Sequence, residues 1–99
     1  KKPSELNGKQ RNRKELKKLI SKLTRETNLL EETISDQEAQ IRNIDLIFSG
    51  KDFFKNADNR KIENMQTSKI ELEQELKLHM REWETKTHQL EEARTEFEN

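Results

Sequence analysis

The chain has 99 residues, of which 40% are charged and only 28% hydrophobic, and its formal net charge is zero. It contains one proline, two glycines, no cysteine and no apolar run of transmembrane length. This composition excludes a thick apolar core, a disulfide framework and a thiolate metal site, and it favours a long exposed helical assembly built from good helix formers.

The first segment, residues 1–11, is basic and lacks hydrophobic periodicity. Pro3, Asn7 and Gly8 stand among lysines there, and no signal-peptide pattern is present, so we interpret the segment as a basic linker. Because the chain starts at Lys1 without a methionine, we expect it to be a piece of a longer protein. A helix over residues 12–48 follows, with Asn12 and Glu15 spaced as a capping box at its start.

Within this helix, apolar residues recur at alternating spacings of four and three. On an α-helix this spacing forms one narrow stripe, which is typical of a coiled coil. We call the stripe the first seam. Its positions are Leu16, Ile20, Leu23, Thr27, Leu30, Ile34, Gln37, Ile41, Ile44 and Phe48.

Residues 49–57 break the heptad pattern and are predicted to form a tip. Gly50 permits a turn, Phe53 and Phe54 are expected to cover the end of the first seam, and Asn56 or Asp58 caps a return helix over residues 58–98. The return helix carries a second seam at the same spacing. Its positions are Ile62, Met65, Lys69, Leu72, Leu76, His79, Trp83, Lys86, Leu90, Ala93 and Phe97.

Two seams of matching length joined by about a dozen residues favour an intramolecular pair. The predicted fold is therefore all-α, an antiparallel two-helix coiled-coil hairpin over residues 12–98, and the alternative is one continuous rod that dimerises. Two registers are open for the hairpin. We prefer the one in which paired residue numbers sum to about 106 over the one near 113, because it places Leu23 beside Trp83 and aligns the polar seam residues.

Charge is unevenly distributed along the chain. Residues 1–25 hold ten Lys and Arg against two Glu, a net of +8, whereas residues 26–50 have a net of −5. Cations in the first turns of a helix interact unfavourably with its macrodipole. Their presence there indicates a polyanionic partner, and nucleic acid is the first candidate. The alternative is a solvated face partly neutralised by glutamates of the return helix. The predicted phosphate-contacting residues are Lys9, Arg11, Arg13, Lys14, Lys17, Lys18, Lys22 and Arg25.

Other chemistry is not predicted for this chain. The triplet at residues 49–51 resembles a phosphate-binding loop, but Asp45 and Asp52 stand where that motif needs Gly and Ser or Thr. His79 and His88 are nine residues apart, which does not match a metal pair on one helix face. A two-helix hairpin offers no pocket for acid–base work. We therefore predict no catalytic residue, no metal site, no small-molecule substrate and no cofactor of its own.

Three stretches together resemble a known family. They are the helix RKELKKLISKLTRETNLLEETISDQEAQI, the break SGKDFFKNAD with its Asp52-Phe53-Phe54 turn, and the return segment ELKLHMREWETKTHQLEEA with Trp83 between glutamates. Their order and spacing over residues 9–97 resemble the C-terminal coiled-coil domain of ABC-F ATPases, nearest to the YheS-like and Uup-like branches.

This resemblance implies a cytoplasmic parent with two ATP-binding domains, which would use ATP and Mg and have no transmembrane part. It implies that the present segment is an accessory module that contacts nucleic acid or the ribosome. The hairpin itself predicts a monomer for the isolated domain, whereas the rod predicts a dimer. The resemblance leaves open whether the partner is DNA, rRNA or a ribosomal protein. A purely structural or dimerising coiled-coil spacer of a scaffold protein is the alternative.

Overall fold

The computed structural model describes residues 11–50 and 52–99 and contains three helices over that part of the chain. They are α1 (Arg13–Phe48), α2 (Phe53–Asn56) and α3 (Asn59–Glu98). No strand occurs among the described residues. The all-α class is therefore confirmed, and the molecule is elongated, with principal extents of 73 × 19 × 14 Å. The predicted linker at residues 1–11 lies outside the described residues except for Arg11.

Both long helices begin next to the capping residues that the sequence indicates. The Asn12 side-chain oxygen accepts a hydrogen bond from the Glu15 N–H at 2.8 Å, and Glu15 Oε1 accepts one from the Asn12 N–H at 3.3 Å, which completes a capping box. Asp58 Oδ1 accepts from the Lys61 N–H at 2.8 Å and caps α3. These bonds satisfy amide groups that have no partner within the helix.

The core is the line along which α1 and α3 pack on each other. The buried apolar side chains are Leu16, Leu23, Leu30, Leu90 and Ala93. Every position of both seams is buried or half-buried, whereas large apolar residues off the seams, such as Leu46 and Leu78, are exposed. The narrow contact line follows directly from the alternating spacing of four and three residues.

Contacts between the helices show that the preferred register is wrong. Lys86 reaches Glu26, Trp83 Nε1 donates to Glu31 Oε2 at 3.0 Å, and Lys69 reaches Asp45. Each of these pairs fits a sum near 113. Trp83 therefore lies beside the Leu30 level of α1 and not beside Leu23.

The correction has a physical reason in how polar seam residues find their partners. Gln37 Oε1 accepts from His79 Nδ1 at 3.0 Å, and Gln37 Nε2 donates to Glu75 Oε1 at 3.3 Å. Buried Thr27 donates to the carbonyl oxygen of Thr24 in its own helix at 3.0 Å. Polar groups are thus satisfied by neighbours beside the seam or one turn away, so polar residues do not have to face each other directly.

The segment between the long helices contains a cluster of three phenylalanines. The ring centroids of Phe48, Phe53 and Phe54 lie 5.1–5.6 Å apart, and Phe53 is half-buried while Phe54 is 53% exposed. The short helix α2, which the sequence did not indicate, brings the two later rings onto Phe48. The expected cover over the first seam is present.

Gly50 serves the turn through close approach and not through a left-handed conformation. No described residue has a positive φ. The Gly50 N–H donates to the carbonyl oxygen of Ile47 at 3.1 Å, and a Cβ on Gly50 would lie 3.2 Å from that oxygen. A side chain there would crowd the end of α1.

Two lysines occupy seam positions and extend their amines to carboxylates beside the seam. Lys86 Nζ lies 3.0 Å from Glu26 Oε1, and Lys69 Nζ lies 2.6 Å from Asp45 Oδ1. The hydrogen bond from Lys86 lowers the pKa of Glu26 below its usual 4.5, and the bond to Asp45 raises the pKa of Lys69 above 10.5. The side chains of Lys69 and Lys86 are 29% and 24% exposed, so their stems are mostly buried while their amines reach the carboxylates.

The Glu26–Lys86 pair predicts a small dependence of stability on acid pH. A carboxyl whose pKa is lowered by folding stabilises the folded chain above its unfolded pKa, and this contribution disappears as the pH falls through the folded-state value. We therefore expect Glu26→Gln to be less stable than the unsubstituted chain at pH 7, and the difference to close in acid. Urea titrations followed by circular dichroism from pH 7 to pH 3 measure this difference.

The matched control is Glu63→Gln, which neutralises an exposed carboxylate of α3. Its difference from the unsubstituted chain should stay small over the same pH range. An acid response of Glu26→Gln identical to that of Glu63→Gln would contradict the assignment.

Candidate nucleic-acid interface

Five of the predicted phosphate-contacting residues form one exposed surface on α1, which we call the basic stripe. The stripe consists of Lys14, Lys17, Lys18, Lys22 and Arg25 and surrounds Ser21. At about 100° per residue, these positions lie on the side of α1 opposite the buried seam. From Lys14 to Arg25 the helix rises about 16 Å at 1.5 Å per residue. The packed seam therefore holds five cations on a regular, outward-facing surface.

The side chains of the basic stripe are not occupied by ion pairs within the described residues. No ion pair joins any of the five to another described side chain. Lys22 and Arg25 act at longer range, since their charges contribute to the lowered pKa of Glu26. The stripe can accordingly meet an external anion without first breaking an ion pair to another described residue.

Two other predicted residues, Arg11 and Arg13, are directed at the end of α3. Arg11 Nη2 lies 2.7 Å from Glu96 Oε1, and this bond raises the pKa of Arg11. Arg13 Nη1 donates to the carbonyl oxygen of Phe97 at 2.7 Å, and its guanidinium carbon lies 4.0 Å from the centre of the Phe97 ring. Their cations thus have an intramolecular use. Lys9, the remaining predicted residue, lies outside the described residues.

The outward face of α1 changes sign beyond Arg25. The adjoining surface, which we call the acidic patch, is formed by Asn28, Glu31, Glu32, Ser35 and Asp36. Glu32 and Asp36 lie on the same side of the helix as Lys18 and Arg25, at multiples of roughly one turn. A polyanion that followed α1 would meet carboxylates within about two turns of Arg25. The geometry limits favourable contact to a short crossing near the start of α1.

His, Asp and Glu side chains elsewhere do not form a metal-binding cluster in the described part of the chain. No group of three or more His, Asp or Glu side chains is arranged to hold a metal ion there. His79 is a half-buried seam residue that contacts Gln37, whereas His88 is exposed, with 3.5 Å between its Nε2 and Glu92 Oε2. A cleft of about 350 Å³ near Arg11 is lined mostly by the last turns of α3.

Sequence reasoning missed two features of this surface. The net charge of residues 26–50 does not reveal the acidic patch, although the spacing of Glu32 and Asp36 relative to Arg25 places all three on one face. Glutamates of the return helix are expected to neutralise some of the cations, but the assignment of Arg11 and Arg13 as the engaged ones depends on the register, because their partners are more than 80 positions away.

Comparison with family models, curated proteins and solved structures finds no match to this chain. Within the described residues, none of the helices combines the length and apolar character needed to span a bilayer.

Proposed function

We propose that the chain is an antiparallel two-helix coiled-coil hairpin that binds the phosphate backbone of nucleic acid through the basic stripe. Support for the hairpin comes from the order of the contacts. Arg11 near the start of α1 pairs with Glu96 near the end of α3, whereas Asp45 near the end of α1 pairs with Lys69. A continuous rod would place these residues far apart, so the pairs favour the hairpin.

The observation that carries the binding proposal is the row of five exposed cations on one face of α1. Three of them, Lys14, Lys17 and Lys18, lie in the first turns of α1, where the macrodipole disfavours cations. Arg11 and Arg13 have partners at the end of α3 that explain their charge, but these three lysines have no ion pair among the described residues. An external polyanion would compensate them.

We further propose that the hairpin is an accessory domain of a cytoplasmic ABC-F ATPase that acts on the ribosome or on nucleic acid. The resemblance over residues 9–97 supports this assignment. ATP and Mg would belong to the ATP-binding domains of the parent, and the segment itself would be non-catalytic and take no small-molecule substrate. At physiological salt and micromolar concentration, the isolated segment is expected to be a monomer near its formula mass of 11.9 kDa.

Salt-dependent binding tests the phosphate role. If all five stripe residues neutralise phosphates of duplex DNA, the logarithm of the association constant should fall against the logarithm of salt concentration with a slope of about −4.5. Lys18→Ala/Lys22→Ala should reduce the magnitude of that slope by about two and weaken binding equally for unrelated sequences. Fluorescence anisotropy at four salt concentrations measures both quantities, with duplex DNA, single-stranded DNA and an rRNA fragment as ligands.

The matched control is Lys77→Ala/Arg81→Ala, which removes two exposed cations from α3. Its slope should equal that of the unsubstituted chain. Absence of binding to all three nucleic acids at low salt, or equal losses in the two double variants, would contradict the proposal.

The second candidate function is a structural or dimerising spacer. Three apolar side chains off the seam are 53–70% exposed, namely Leu46, Ile70 and Leu78. Their exposure favours the spacer, since they could pack on another helix. Such a dimer would be held by apolar contacts and would persist at high salt. Size-exclusion chromatography with light scattering at 0.5 M salt separates it from the monomeric hairpin.

A further inference from the structure

The outward face of α1 carries cations first and carboxylates after them. This order is complementary in charge to the same face read in the reverse direction. The basic stripe ends at Arg25, and the acidic patch begins three residues later. Glu32 lies seven residues after Arg25, and Asp36 lies eleven residues after it, so all three share one side of the helix. A second copy of the same face, running antiparallel to the first, would place its carboxylates opposite the cations of the first copy.

We propose that this face binds a second copy of the chain in an antiparallel, two-fold symmetric arrangement. With the symmetry axis between Asn28 and Leu29, Arg25 of each copy lies opposite Glu32 of the second copy. Lys22 and Lys18 then flank Asp36 of the second copy. A two-fold interface repeats each contact, so one complementary pair of patches supplies two sets of ion pairs.

An exposed leucine stands at the proposed axis. Leu29 is 57% exposed and lies between Arg25 and Glu32 along α1. In the antiparallel arrangement the Leu29 side chains of the two copies meet across the axis. This contact gives the interface a small apolar centre with charged groups around it, as in other specific interfaces.

The association is expected to be weak and sensitive to salt. Exposed ion pairs contribute little individually, and screening shortens the reach of charge from about 30 Å at 0.01 M to about 8 Å at 0.15 M salt. The chain therefore remains monomeric at physiological salt and micromolar concentration and associates at low salt. This inference does not depend on nucleic-acid binding, but both partners would use the basic stripe and would compete for it.

Charge reversal tests the arrangement in sedimentation velocity at 20 mM salt. Lys22→Glu/Arg25→Glu and Glu32→Lys/Asp36→Lys should each be monomeric at concentrations where the unsubstituted chain dimerises, because like charges then face each other. A 1:1 mixture of the two variants should form a heterodimer. The association constant of the unsubstituted chain should fall at least about tenfold between 20 and 300 mM salt.

The control for net charge is Lys77→Glu/Arg81→Glu, which makes the same change in charge on the exposed surface of α3. It should dimerise like the unsubstituted chain, and it should not pair with Glu32→Lys/Asp36→Lys more strongly than the unsubstituted chain does. A monomeric unsubstituted chain at millimolar concentration and low salt would overturn the proposal. Equal dimerisation of Lys22→Glu/Arg25→Glu and the control Lys77→Glu/Arg81→Glu would overturn it as well.

Cysteine cross-linking tests the position of the axis independently. The chain has no cysteine, so a single introduced residue reports one site. Leu29→Cys should form a disulfide-linked dimer at low salt several times faster than Leu78→Cys, which places the thiol at a comparably exposed site on α3. Equal rates for the two variants would show that the copies do not meet at α1.

Discussion

Replacing Leu23 with alanine should lower the free energy of unfolding by about 2–4 kcal/mol, because the leucine side chain is packed and the site cannot collapse fully. Leu23 is 3% exposed in the seam between α1 and α3. A two-helix structure has no further layer of side chains to fill the space that the leucine leaves. The loss should therefore be a large fraction of the total stability.

Urea unfolding followed by circular dichroism at 222 nm measures the change. The matched control is Leu46→Ala, since Leu46 belongs to the same helix and is 70% exposed. Its effect should remain within about 0.5 kcal/mol, as for other surface substitutions. Equal losses for the two variants would contradict the assignment of the seam.

The second large effect is expected at the polar contact in the middle of the seam. Gln37 is 7% exposed, and its side-chain oxygen accepts from His79 Nδ1. His79→Ala removes that donor and leaves the buried oxygen without a partner, which should cost about 1–3 kcal/mol. The double variant Gln37→Leu/His79→Leu removes both polar groups and should be at least as stable as the unsubstituted chain.

A double-mutant cycle with Gln37→Leu and His79→Leu as the single variants separates the hydrogen bond from the packing of each side chain. His88→Ala is the control, because His88 is exposed and lies on the surface of the same helix. A coupling energy near zero between Gln37 and His79 would show that the contact does not stabilise the fold. We expect the double variant to tolerate a shifted register, since a polar seam residue opposes slippage.

The helices and their contact lines could be predicted from the sequence because each depends on local information. The spacing from Leu16 to Phe48 identifies the buried face of α1, and the Asn12 and Asp58 side chains mark the starts of the long helices. Register depends on contacts between distant residues. Aligning Leu23 with Trp83 assumed that buried polar groups need partners directly opposite, whereas Trp83 in fact donates to Glu31.

The candidate interface could also be predicted only in part, because some of its contacts join residues that are distant in sequence. The cations from Lys14 to Arg25 are close in sequence, so helical periodicity places them on one face. Arg11 and Arg13 belong to the same basic run, but their guanidinium groups contact Glu96 and Phe97. Composition treats all these cations alike, and only the paired helices distinguish those with internal partners.

The contacts of Arg11 and Arg13 also bear on local unfolding where the start of α1 meets the end of α3. Phe97 supplies one of the last carbonyl groups of α3, which has no acceptor role within that helix, and Arg13 from α1 donates to it. The end of α3 is thus completed by α1, and Glu96 of α3 in turn pairs with Arg11 beside the start of α1, although the charges there oppose each helix taken alone. The first turn of α1 and the last turn of α3 should fray as one cooperative unit, with matching rates of amide hydrogen exchange.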